Sequence, residues 1–153
     1  MLMNKIIFEN IYNLIPKWKW CELSFALNRT IISCRDIISY ASFILSEDLE
    51  QFDIVIELSI AEESEVEEIL HELIEKEEKS ETDSIESKWI FAIIYDAYIN
   101  SEDNVYSVID DVYSGFDYPE EISNLIAYMP NNDGRSIEEK LSEYVDNEKK
   151  RWC

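Results

Sequence analysis

The chain has 153 residues, enough for one domain with a buried core and too few for two well-built ones, so a single domain over residues 1–153 is expected. Two glycines and three prolines supply too few left-handed positions and tight turns for a barrel, a sandwich or a phosphate-cradling loop. Thirteen basic against 34 acidic residues give a net charge of −21, which repels nucleic acid and anionic membranes and attracts basic partners.

What remains is an all-α fold of about eight or nine short helices, in an irregular bundle or a helical-repeat-like stack. Ile7, Ile11, Leu14 and Ile15 follow helical spacing until Pro16, and a second helix is expected from Lys17 to Asn28. Ser33 with Asp36 three residues on resembles a capping box, ahead of an expected buried stripe of Ile37, Ile38, Ala41, Ile44 and Leu45. Residues 52–60 alternate apolar and polar, which suits a strand as well as a helix. A lone strand would leave its backbone unpaired, so a helix is expected.

Ser64 with Glu67 reads as a second capping box, before Val66, Ile69, Leu70, Leu73 and Ile74. Lys76 to Asp83 lacks apolar residues and should loop. Ser84 to Asn100 is apolar nearly all round and should be the most buried helix. Val105, Val108, Ile109, Val112 and Tyr113 predict a helix capped in left-handed conformation by Gly115. Pro119, Glu120 and Glu121 suit the first turn of a helix closed by Pro130, followed by a turn over Asn131–Gly134. Ser136 with Glu139 opens the last helix, with Ile137, Leu141, Tyr144 and Val145 inward.

Ile6, Ile7 and Phe8 are cut short by Glu9 and Asn10, so no secretory segment is expected at the start. The longest apolar run, Trp89 to Tyr95, is seven residues, against roughly 20 needed to span a bilayer, and a cytoplasmic location is expected. Cys21, Cys34 and Cys153 are odd in number and lack C-x-x-C spacing, which suits reduced thiols.

Familiar catalytic arrangements fail on residue counts. His71 is the single histidine. His71-Glu72 starts like a zinc motif, but Glu75 stands where the second histidine belongs, and Glu68-x-x-His71 is half of a di-iron site. A nucleophile is conceivable only if Cys21 or Cys34 meets His71 in space. Asn131, Asp133 and Gly134 imitate a calcium loop whose end positions, Met129 and Lys140, carry no carboxylate. Asp110-Asp111 is a pair that chance supplies in so acidic a chain. No catalytic residue, cofactor or metal is therefore expected.

Charge is unevenly distributed. Residues 1–46 hold five bases and three acids, whereas residues 47–86 hold seventeen acids and two bases, a net −15. Glu65, Glu68, Glu72 and Glu75 recur every three or four residues, stacking like charges at a cost of a few tenths of a kcal/mol per pair. Such a ridge is either a solvated face that keeps the protein in solution or a surface that imitates polyphosphate and docks a basic site. Tyr113, Phe116, Tyr118 and Tyr128, with Trp89 upstream, form an aromatic group expected to be mostly core, with a remainder free to anchor a partner.

Lys88-Trp89, the stretch Tyr113-Ser-Gly-Phe116-Asp-Tyr118-Pro119-Glu120-x-Ile122 and Tyr128-Met129-Pro130 resemble a family of small uncharacterised bacterial proteins with K-W, F-x-Y-P-E-x-I and Y-M-P segments. No enzymatic activity comes with that resemblance, so no catalytic residue is carried over from it. In size, acidity and lack of a catalytic set the chain is also similar in type to immunity proteins that neutralise bacterial toxins. The expectation is a non-enzymatic binding protein occluding the cationic site of a toxin such as a nuclease, through Glu62, Glu63, Glu65, Glu68, Glu72 and Glu75, with Tyr118 and Tyr128 as aromatic contacts. The alternative is a helical adaptor that binds an ordinary protein through aromatic and apolar surface.

Overall fold

A computed structural model of the protein describes residues 6–100, 105–126 and 134–153. All regular structure among the described residues is helical: α1 (Phe8–Leu14), α2 (Trp20–Asn28), α3 (Cys34–Ile44), α4 (Phe52–Ser59), a 3-10 turn (Glu63–Glu65), α5 (Val66–Glu75), α6 (Thr82–Asn100), α7 (Val105–Gly115), a 3-10 segment (Glu120–Leu125) and α8 (Ile137–Trp152). The ambiguous stretch 52–60 is thus a helix, with Val55 and Leu58 inward. Chain contacts divide the protein into two compact units, one ending at Ile85 and the other running from Glu86 to Cys153.

In the first unit α3 packs against α1, α4 and α5, and α5 also meets α2. Phe8, Ile11, Leu23, Ile37, Val55, Leu58, Leu70 and Leu73 are buried at the centre. Full burial of each such side chain contributes about 1.5–3 kcal/mol before chain entropy is counted. The capping box at α3 forms as expected: the Ser33 Oγ accepts from the Asp36 N–H at 3.3 Å, and the Ser33 N–H donates to Asp36 Oδ2 at 2.9 Å. The α3 stripe is shifted from the expected one. Tyr40 is fully buried with Ile37 and Ala41, while Ile38, Ile44 and Leu45 are half-buried.

Tyr40 does more than fill space. Its hydroxyl accepts from the Trp18 N–H at 2.9 Å and donates to the Pro16 carbonyl at 2.9 Å, so one side chain satisfies one backbone donor and one backbone acceptor of the α1–α2 link. Its ring meets Phe8, Tyr12 and Trp20 at centroid separations of 5.9, 5.5 and 5.9 Å. Burial pushes the phenol up to about 12, so it stays a donor across the physiological range.

In the second unit every residue from Trp89 to Tyr95 is buried, as expected of a helix apolar round its circumference. The Phe91 ring stacks on Tyr95 at 5.1 Å and meets Tyr144 of α8 edge-on at 6.2 Å. The 3-10 segment packs against α7 and α8. Ser136 caps α8, its Oγ accepting from the Glu139 N–H at 3.2 Å, and Leu141 and Val145 face inward.

Three further expectations are corrected. The expected box at Ser64 does not form, because Ser64 lies within the 3-10 turn and the Glu62 N–H donates to Glu65 Oε1 at 2.9 Å instead. Gly115 is an ordinary helical residue; the chain leaves α7 through Asp117 and Tyr118, at φ 60 and 57. The Tyr118 N–H donates to the Tyr113 carbonyl at 2.7 Å and the Asp117 N–H to Ser114 at 3.4 Å, the paired closure of a Schellman cap. After Pro119 the chain forms a 3-10 segment and not an α-helix. Pro130 and the expected turn at 131–133 lie outside the described residues.

Candidate functional site

The acidic block is built on one amphipathic helix. At about 100° per residue, Glu67, Glu68, His71, Glu72 and Glu75 fall within a ~140° arc of α5. Val66, Ile69, Leu70 and Leu73 take the buried side. Folding α5 onto α2, α3 and α4 therefore drives every one of these carboxylates to the same exposed face. The 3-10 turn before it adds Glu63 and Glu65, and the residue that precedes the turn adds Glu62, all exposed.

Internal compensation is slight. Arg35 Nε pairs with Glu63 Oε1 at 3.1 Å, and His71 Nε2 meets Glu75 Oε1 at 3.0 Å, both pairs in the open where such contacts contribute little. Glu68 and Glu72 have no ion pair among the described residues. Glu77, at the end of the block, is used internally: its carboxylate accepts from the Trp20 N–H at 3.0 Å and the Cys21 N–H at 2.7 Å, the uncompensated donors at the start of α2.

Two recesses adjoin the ridge. One, of about 740 Å³, is lined by Arg35, Asp36, Ile38, Ser39, Ala61 and Glu62, with Glu63 and Ser64 beside them. The other, of about 210 Å³, lies between α2 and α5 and includes Asn28, Glu67 and His71.

The thiols are shielded. Burial, then the hydrogen bond and charge of Glu77, push Cys21 up to about 11; burial and the charges of Glu67 and Glu63 push Cys34 up as well. Both thiols are held neutral, the opposite of an activated nucleophile. His71 is turned to Glu75. Among the described residues no group of three or more His, Cys, Asp and Glu side chains is placed to hold a metal ion. No helix among them is long and apolar enough to cross a membrane.

The aromatic residues separate. Trp89, Tyr113 and Phe116 are buried, whereas Tyr118 is 61 % exposed with its ring edge against Tyr113 at 5.3 Å. Tyr128 lies outside the described residues, as do Asn131 and Asp133. Ile56 and Ile60 of the α4 region, two members of the apolar alternation over residues 52–60, are 40 % and 81 % exposed, which that alternation did not indicate. Their i, i+4 spacing was the available signal, hidden because residues 52–60 are apolar at too many positions to show which would be left outside.

No curated protein and no solved structure matches the chain. A family of proteins conserved in bacteria, described as uncharacterized (DUF2247), matches residues 8–152 and so takes in both units, with the acidic helix and the buried Trp89; the chain belongs to that family.

Proposed function

We propose that this is a non-enzymatic binding protein of the immunity type, which occludes the cationic active site of a toxin such as a nuclease with the carboxylates of α5 and the turn before it. The single observation that carries the reading is the placement of Glu65, Glu68, Glu72 and Glu75 on exposed surface of one helix region, while its opposite face is core. A helix selected for stability alone gains from interspersed lysines at i, i+4. Here the negative potential is left for another molecule's cations, and it accelerates encounter with them.

Co-expression with the product of the adjacent reading frame tests this. Wild type is expected to restore growth and to form a complex whose association slows as salt is added. The variant E65K/E68K/E72K should protect no better than an empty vector. Equal protection by that variant rejects the ridge as the contact, and an adjacent product that neither harms the host nor binds rejects the immunity reading.

A second reading, a helical adaptor recognised through aromatics, is favoured by the exposure of Tyr118 in a left-handed conformation. Binding that is insensitive to salt and abolished by Tyr118→Ala would select it.

A further inference from the structure

Ile56 and Ile60 lie one helical turn apart, both exposed, on the side of the α4 region away from Val55 and Leu58. Ile60 is 81 % exposed and Ile56 40 %, so the pair at i, i+4 leaves apolar surface in water that α4 could have directed inward. Their surroundings are mainly acidic, the one cation of the adjoining recess, Arg35, being paired with Glu63. Asp53 lies three residues before Ile56, Glu57 lies between the two, and Glu62 and Glu63 follow Ile60 after Ala61; all four are exposed. The 740 Å³ recess begins one residue beyond Ile60, at Ala61, and Ile38 and Ala61 contribute apolar side chains to it.

From this juxtaposition we infer that the Ile56–Ile60 stripe is the apolar anchor of a docking surface for a basic amphipathic segment, one that presents an aliphatic or aromatic side chain ringed by lysines or arginines. The inference rests on the reading of the acidic block as a contact surface and adds where that contact is dry. Charge selects the occupant. A second copy of this chain would bring a segment of net −15 against its equal, whereas a cationic segment gains at the rim and buries the isoleucines at the centre. Rim carboxylates set the rate and salt dependence of arrival; the apolar centre sets how long the complex lasts.

Two synthetic peptides of equal charge test this directly: a helix-forming Leu/Lys peptide of about 14 residues, and a Lys/Ser peptide that lacks the apolar face. Wild type is expected to bind the first about tenfold more tightly than the second. Ile56→Ser/Ile60→Ser should erase that preference while leaving Lys/Ser binding unchanged, with helicity and melting as in wild type. Ile60→Ser alone, at the more exposed position, serves if the double variant folds poorly. Unchanged affinity of both isoleucine variants for the Leu/Lys peptide overturns the anchor, as does self-association in sedimentation that the variants remove. E65K/E68K/E72K separates the two ideas: if it binds both peptides as wild type does, the acidic ridge fails while the stripe stands.

Discussion

Thr30 closes α2 at φ 58, a conformation in which a β-branched side chain crowds its own backbone. The closure is a full Schellman cap, the Ile31 N–H donating to the Ala26 carbonyl at 2.9 Å and the Thr30 N–H to Leu27 at 3.0 Å. With glycine at only two places in the chain, and only Gly134 of these left-handed, the other left-handed positions among the described residues fall to Thr30, Gln51, Asp117 and Tyr118. Thr30 is exposed, and among the described residues its hydroxyl bonds only the neighbouring Arg29 carbonyl at 2.6 Å, so little is lost by removing the side chain. Thr30→Gly is therefore expected to stabilise the protein by about 1 kcal/mol in urea denaturation, relief of strain outweighing the added freedom of the unfolded chain. A loss of stability would show that the threonine conformation is not strained.

Helix α6 buries most of its circumference and carries a carboxylate with it. Burial raises the Asp96 pKa, partly offset by the Asn100 amide, which donates to Oδ1 at 2.7 Å. A carboxyl whose folded pKa lies above its unfolded one is no burden below the unfolded value, and stability is lost as pH rises through the folded value. Asp96→Asn should thus be more stable than wild type at pH 7, with the difference shrinking to nothing toward pH 4 in thermal melts. A difference that grows on acidification would reverse the sign argued here. Elements whose signals are local were legible in the sequence: the Ser33 and Ser136 caps, the α5 stripe and the all-round apolar α6 depend on residues no more than a few positions apart. Tyr40 was missed because its partners, Pro16 and Trp18, lie more than twenty residues away and no periodicity encodes them. At α5 the Ser64 signal failed because a 3-10 turn precedes the helix, and the Glu65 carboxylate caps that turn at the Glu62 N–H while α5 itself starts without a side-chain cap. The acidic face of the candidate site could be read from spacing alone; its exposed isoleucines could not, since they depend on how α4 settles between α3 and α5.

For the molecule as a whole, the net charge of −21 acts against compaction, and its concentration in residues 47–86 makes that repulsion short-ranged. At about 0.15 M salt the screening length is roughly 8 Å, comparable to the spacing along the ridge, so moderate sodium chloride should raise the melting temperature. A melting temperature that falls over that range would contradict the repulsion. The same ions are expected to weaken recognition of a cationic partner, so stability and binding should move in opposite directions along one salt titration.

Glu77 reaches back 56 and 57 residues to hold the opening amides of α2, a task normally done by a neighbour in sequence. A nascent chain that has not yet emerged as far as this glutamate has no carboxylate to receive those two N–H groups, so the beginning of α2 should stay frayed until the end of α5 has docked. Solvent exchange at the Trp20 and Cys21 amides is then a clock for that docking, and fast exchange there in a Glu77→Ala chain whose other helices remain protected would be its signature.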